Sequence, residues 1–199
     1  MANIQTAIDW AIATCNMSNP YALYTMNTNP NNGPTRYGGV DGQGNVYYDC
    51  SSFISTALTY AGFFSSNPWF TTSSMGNYLL QAGFQEVNRN GELKPGDICV
   101  NPGSHTEMVY QGGIGRARTM GAHTDGIAAA NQVSINNGYT SGSSWAHIYR
   151  FGGGGTTPDD PPYVPVDPDP DIPITPGDGG DYTHQISTIL LLKLCKIVV

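Results

Sequence analysis

Basic residues are scarce in this 199-residue chain: eight Lys and Arg stand against fifteen Asp and Glu, a net charge of −7. It has no basic stripe of the kind that tracks a nucleic-acid backbone. The acidity is uneven. Six basic and eight acidic residues lie between Met1 and Phe151, a net −2; two basic and seven acidic residues follow, a net −5. Cysteine is sparse too. Cys15, Cys50, Cys99 and Cys195 show neither CxxC nor Cys/His zinc spacing, and they are too scattered to argue for a disulfide framework. No apolar run approaches the roughly 20 residues of a membrane-spanning helix. Met1-Ala2-Asn3-Ile4-Gln5 lacks the basic and apolar segments of a secretory leader, so no signal peptide is expected.

What is present centres on Tyr47-Tyr48-Asp49-Cys50-Ser51-Ser52-Phe53-Ile54. Asp49 is a capping residue, and Phe53, Ile54, Ala57, Leu58 and Ala61 recur at helical spacing before Gly62 supplies a stop. Cys50 therefore begins a helix, where unpaired N–H groups and the positive dipole end favour a thiolate nucleophile. The alternative is a small apolar residue packed under a loop.

Upstream, Ile4, Ala7, Ile8, Ala11, Ile12 and Cys15 follow one helical stripe, with Cys15 in the core. Residues Asn16 to Gly44 are rich in Asn, Pro, Gly and Tyr and read as a long, functional loop. Downstream, Met75, Tyr78, Leu79 and Ala82 mark a short helix stopped at Gly83. The period then changes to two. Phe84–Val87, Ile98–Val100 with Cys99 in the core, His105–Tyr110, Arg116–Met120, Ile127–Ile135 and Ala146–Phe151 are candidate strands. Helices followed by an antiparallel meander mean an α+β fold. From Gly152 to Asp181 the chain alternates Pro and Asp, a charged, semi-extended linker without a core. Residues 182–199 form a short apolar tail, read as the start of a truncated second module, an oligomerisation segment or an aberrant end. Cys195 has no role there, and His184 belongs to the tail.

A cysteine nucleophile needs a base. His105 follows a Gly-Ser turn at a strand start, and alternation sets His105, Glu107 and Val109 on one face. His123 lies in the next loop or strand end, and His147 sits in a structural strand.

Three ordered motifs then combine: Tyr48-Asp49-Cys50-Ser51-Ser52-Phe53, Leu93-Lys94-Pro95-Gly96-Asp97-Ile98 and His105-Thr106-Glu107-Met108-Val109-Tyr110. Together they resemble the papain-like NlpC/P60 and CHAP peptidoglycan hydrolases. Within that superfamily they are most similar to the bacteriophage lytic amidases, and the likeness extends to Tyr24-Thr25-Met26, Thr71–Met75 and Asp125-Gly126-Ile127.

The resemblance implies a papain-like fold with N-terminal helices packed on an antiparallel sheet over residues 1–151. It implies Cys50 as nucleophile and His105 as the base that later protonates the leaving amine. A tyrosine helps hold the oxyanion: Tyr24, with Tyr37 of Pro34-Thr35-Arg36-Tyr37-Gly38-Gly39 second, since Thr35 stands where the related segment carries its tyrosine. The third catalytic group is expected to be His123, with Thr119 and Asp125 as alternatives. Glu107 would orient the imidazole or attract an amino group of the stem peptide, or else be a solvated strand-end carboxylate. Asp125 and Tyr37 are further substrate contacts.

No cofactor and no metal are expected. Asp41-Gly42-Gln43-Gly44-Asn45 reads as a Gly-rich turn rather than a calcium loop, because it lacks the carboxylates of such a site. The expected partner is bacterial peptidoglycan, with neither nucleic acid nor a membrane span. A wall-binding module or an oligomer through the tail would complete it. The enzyme would act on the wall from the host cytoplasm after holin release, or from the virion. N-acetylmuramoyl-L-alanine amidase activity is the first expectation and stem-peptide or cross-bridge endopeptidase the second. Transglutaminase or deamidase chemistry and an inactive wall-binding or tail module are the rivals.

Overall fold

The computed structural model describes residues 2–26, 33, 35 and 37–152. The expected linker beyond Gly152, the tail with His184 and Cys195, and Pro34 and Arg36 lie outside the described residues. The elements run α1 (Ile4–Cys15), β1 (Ala22–Tyr24), β2 (Val46–Tyr48), α2 (Cys50–Tyr60), α3 (Met75–Gln81), β3 (Phe84–Glu86), β4 (Ile98–Asn101) and β5 (His105–Gly113). They continue with β6 (Arg116–Ala122), α4 (Ala129–Gln132), β7 (Val133–Ile135), β8 (Thr140–Ser141), a 3₁₀ turn at Gly142–Ser144 and β9 (His147–Phe151). This is an α+β arrangement with an antiparallel main sheet. Among the described residues no helix is long and apolar enough to cross a membrane.

Asn3 caps α1 by accepting from the Gln5 N–H at 2.9 Å. Its buried face holds Ala7, Ile8, Trp10, Ala11, Thr14 and Cys15, while Ile4 and Ile12 are only half-buried. The face is wider than the sequence stripe because α1 packs against both α2 and strands β5–β7. Trp10 meets Tyr48, Phe53 and Tyr60 with ring centroids 5.5–6.5 Å apart. Helix α2 ends as its residues require. The Gly62 N–H bonds Thr59 O and the Phe63 N–H bonds Leu58 O, a Schellman closure that needs the left-handed φ of +81° at Gly62.

Three expectations are corrected by the structure. The stretch read as one loop contains β1, which pairs in parallel with β2 through Ala22↔Val46, Leu23↔Tyr47 and Tyr24↔Tyr48. Partner strands 24 residues apart leave no local signal. Residues 127–135 are not one strand but α4 followed by β7. The sheet order is β3-β9-β4-β5-β6-β7, with β8 also on β6. Strand β9 thus returns between β3 and β4 instead of extending a meander. Its insertion buries Cys99 and Ile148 together with Leu93, Val109, Ala117 and Trp145.

The Leu-Lys-Pro-Gly-Asp turn has a structural role. Gly96 takes φ +86°, and a Cβ there would lie 2.8 Å from Ile4 and 3.0 Å from Ile8 of α1. Asp97, 1% exposed, accepts from the Lys94 N–H and takes a two-pronged bond from Arg150 of β9, both arms at 2.7 Å. Arg150→Met leaves a buried carboxylate without its cation. The expected loss of unfolding free energy is about 3 kcal/mol, read by urea titration, with activity per folded molecule retained.

Candidate active site

Helix α2 begins with a complete capping box. Asp49 accepts from the Ser52 N–H at 2.6 Å, and Ser52 Oγ accepts from the Asp49 N–H at 2.8 Å. Cys50 is thereby the first residue of α2. Parallel pairing of β1 with β2 brings Tyr24 beside Tyr48, two residues before it. Cys15 and Cys99 lie in the core, where burial pushes both thiols far above their ordinary value. Cys50, itself 9% exposed, lines a cleft of about 680 Å³ shared with Tyr24, Tyr37, Trp69 and Phe70.

His105 opens β5, with its ring stacked on Trp145 at 6.0 Å and 24°. It hydrogen-bonds Glu107 through Nε2 at 3.0 Å. Burial disfavours its charged form, but the influence of Cys50 and of the bonded Glu107 outweighs this and raises its pKa to about 10.

Glu107 is buried and accepts four donors. Oε1 takes His105 Nε2 and His123 Nδ1, each at 3.0 Å, and Oε2 takes Thr119 Oγ1 and Asn136 Nδ2, the latter at 2.9 Å. Burial alone would raise this carboxyl; the bonds from His105, His123 and Thr119 win and hold it far below the ordinary carboxylate range. Asn136 also donates to Thr119 Oγ1 at 3.0 Å, closing the network. A solvated strand-end carboxylate is therefore excluded.

His123, the expected third catalytic group, does not bond the His105 ring. Their ring centroids are 6.4 Å apart, and each ring bonds Glu107 instead. The register that pairs Met108 with Met120 sets His123, just past β6, across from the start of β5, and Glu107, two residues from His105 on the same face, reaches between the two rings. His123 Nε2 faces the Ser134 carbonyl at 3.1 Å. Thr119 belongs to the cluster through Glu107. Asp125 is exposed, outside the cluster, on a loop tied to β1 by Gln132, whose side chain bonds the Tyr24 N–H and the carbonyls of Asp125 and Ile127.

The two tyrosines differ. Tyr37 donates to Asp49 Oδ2 at 2.6 Å, so its proton is committed. Burial, then the Asp49 bond and charge, hold its phenol well above the ordinary value. The Tyr24 hydroxyl contacts the Met26 thioether at 2.8 Å, a weak acceptor, and Tyr24 lines the Cys50 cleft.

His147, expected in a structural strand, pairs with Glu86 at 2.8 Å across β9 and β3. Asp41 accepts from the Gln43 and Asn45 N–H groups, the Asn45 amide and the Tyr47 hydroxyl, so its carboxylate organises the turn itself. His105 Nε2, Glu107 Oε1 and His123 Nδ1 lie within 4.8 Å of one another, a donor set that suits zinc by type. Here those atoms bond one another. Asn136, Trp145 and Trp69 escaped the sequence reading. Asn136 is 29 residues from Glu107, and only the β6–β7 pairing joins them.

Fold and site define an α+β domain with a cysteine at a capped helix start and a half-buried histidine bonded to a buried glutamate. A family model described as bacteriophage peptidoglycan hydrolase matches residues 23–158, and the chain belongs to that family. Among solved structures, the chain is similar to one in the crystal structure of the type VI native effector–immunity complex Tae3–Tai3 from Ralstonia pickettii. The identity is 16% and the TM-score 0.38, covering 75% of this chain and 99% of that one. No curated protein matches.

Proposed function

We propose that this peptidoglycan hydrolase is a papain-like cysteine amidase of the NlpC/P60–CHAP type, cleaving the bond between N-acetylmuramic acid and L-alanine. The observation that carries this reading is the His105–Glu107 bond at 3.0 Å, with Cys50 at the capped start of α2 close enough to act on the His105 ring. Glu107 occupies Nε2, which leaves Nδ1 to exchange a proton with the thiol. Sulfur attacks the amide carbonyl carbon while its proton passes to His105. The resulting oxyanion is held by the backbone N–H groups at the start of α2 and by the Tyr24 hydroxyl. Breakdown breaks the C–N bond, with His105 returning the proton to the amine. Water, deprotonated by His105, then replaces sulfur at the carbonyl and releases the acid. Glu107 is the positioning group, and His123, Thr119 and Asn136 hold Glu107. The acidic linker and tail would join the domain to a wall-binding module or a second copy. The enzyme would reach the wall after holin release or from the virion.

The test is mass spectrometry of purified peptidoglycan digested with the full chain. Stem peptides beginning at L-alanine beside peptide-free glycan are expected. Fragments cut inside the stem or bridge would keep the mechanism and move the bond. The His105–Glu107–His123 donor set supports a second reading, metal-assisted hydrolysis. The two readings separate cleanly: iodoacetamide removes activity and EDTA leaves it unchanged under thiol catalysis, and the opposite pattern would move the reading to a metal.

A further inference from the structure

We infer that Trp69 and Tyr37 form a platform for the muramoyl sugar, and that the stem peptide leaves through a second cleft, the one that His105 lines. This rests on the amidase reading above. Among the described residues Trp69 is the non-glycine residue with positive φ, +46°. Such backbone strain persists only where surrounding contacts impose it. Here Asn67 imposes it, accepting from the Trp69 N–H at 3.0 Å and anchoring its own amide to Thr56 of α2 at 3.0 Å. The strain does not bury the indole, which remains 46% exposed. It sets the indole in the wall of the Cys50 cleft, stacked on Tyr37 at 6.4 Å and 29°. Gly38 keeps the space clear, since a Cβ there would lie 3.0 Å from the indole. Tyr37 in turn bonds Asp49, the residue before Cys50, so the platform is fixed relative to the nucleophile. An exposed, rigid, electron-rich aromatic face suits the C–H face of a pyranose.

The reaction sets the direction. The acyl group stays on sulfur, and the leaving amine must lie where His105 can protonate it. Cys50 lines the Trp69 cleft. His105, with Glu107, Asn136, Tyr139 and Trp145, lines a separate cleft of about 380 Å³. The lactyl carbonyl and its sugar therefore belong beside Trp69, and the peptide beside Tyr139 and Trp145.

The test titrates the full chain carrying Cys50→Ala with the peptide-free disaccharide N-acetylglucosaminyl-N-acetylmuramic acid, and separately with the stem peptide, by calorimetry. Adding Trp69→Ala should weaken the disaccharide roughly tenfold or more and leave the stem peptide within about twofold. Trp69→Gly should do the same while keeping or raising Tm, because glycine relieves the left-handed strain. A purely structural Trp69 predicts the reverse: lower Tm and unchanged disaccharide affinity. Disaccharide affinity that is unchanged or absent throughout, or a loss confined to the stem peptide, overturns the platform. Wild-type digestion run in parallel separates the two levels. Lysis with unchanged disaccharide affinity in the Trp69 variants sinks the platform alone. Disaccharide binding that depends on Trp69 without lysis sinks the catalytic reading alone.

Discussion

Cys50→Ala is expected to release no stem peptide, a fall in kcat/KM on the order of 10⁴ or more, with an unchanged fold. Alanine removes the sulfur proposed as the nucleophile. The helix start survives, because Asp49 bonds the Ser52 N–H and not the Cys50 side chain. Unfolding free energy should stay within about 1 kcal/mol of wild type. His105→Ala should be as damaging, and the double variant little worse than either single one, because the proposed nucleophile and base would act as a unit. Circular dichroism with product analysis decides the matter. Full activity in either variant, with the native spectrum, would falsify the thiol mechanism.

Glu107→Gln is expected to lower kcat by roughly 10²–10⁴ and to lower stability as well. The shape is kept, but four donors now meet one oxygen and one NH₂ group, so at least one of His105, His123, Thr119 and Asn136 faces another donor. Two linked groups set the pH window. The folded Glu107 lies below its ordinary 4.5, so its contribution is present above that value and lost as pH falls into the acid range. The folded His105 lies above its ordinary 6.5, at about 10, so its contribution is complete below 6.5 and lost as pH rises towards 10. The stability gap between wild type and Glu107→Gln should therefore be widest between about pH 4.5 and 6.5 and shrink on both sides. Tm measured across pH 3–10 checks this, and a gap independent of pH would remove Glu107 from the ionised network.

The helix beginning at Cys50 and its stop were legible because caps and apolar spacing act within one or two turns. Asp49, Ser52 and Gly62 each do locally what their chemistry prescribes. Strands β5 and β6 were legible for the same reason, and alternation already set His105 and Glu107 on one face. The identity of the His105 partner was harder to read. His123 is the attractive choice by residue type, but only the folded positions of β5 and β6 show that Glu107 stands between the two rings.

The sequence by itself determined the helix that begins at Cys50, the cores of most strands and the order of three motifs, all properties of contacts a few residues apart. The tertiary structure alone decided the rest. It paired β1 with β2, put β9 between β3 and β4, joined Asn136 to Glu107 across the sheet and turned Trp69 into the Cys50 cleft. Those contacts span tens of residues, and closing such loops is stabilised by burial summed over the whole domain, which no local spacing records.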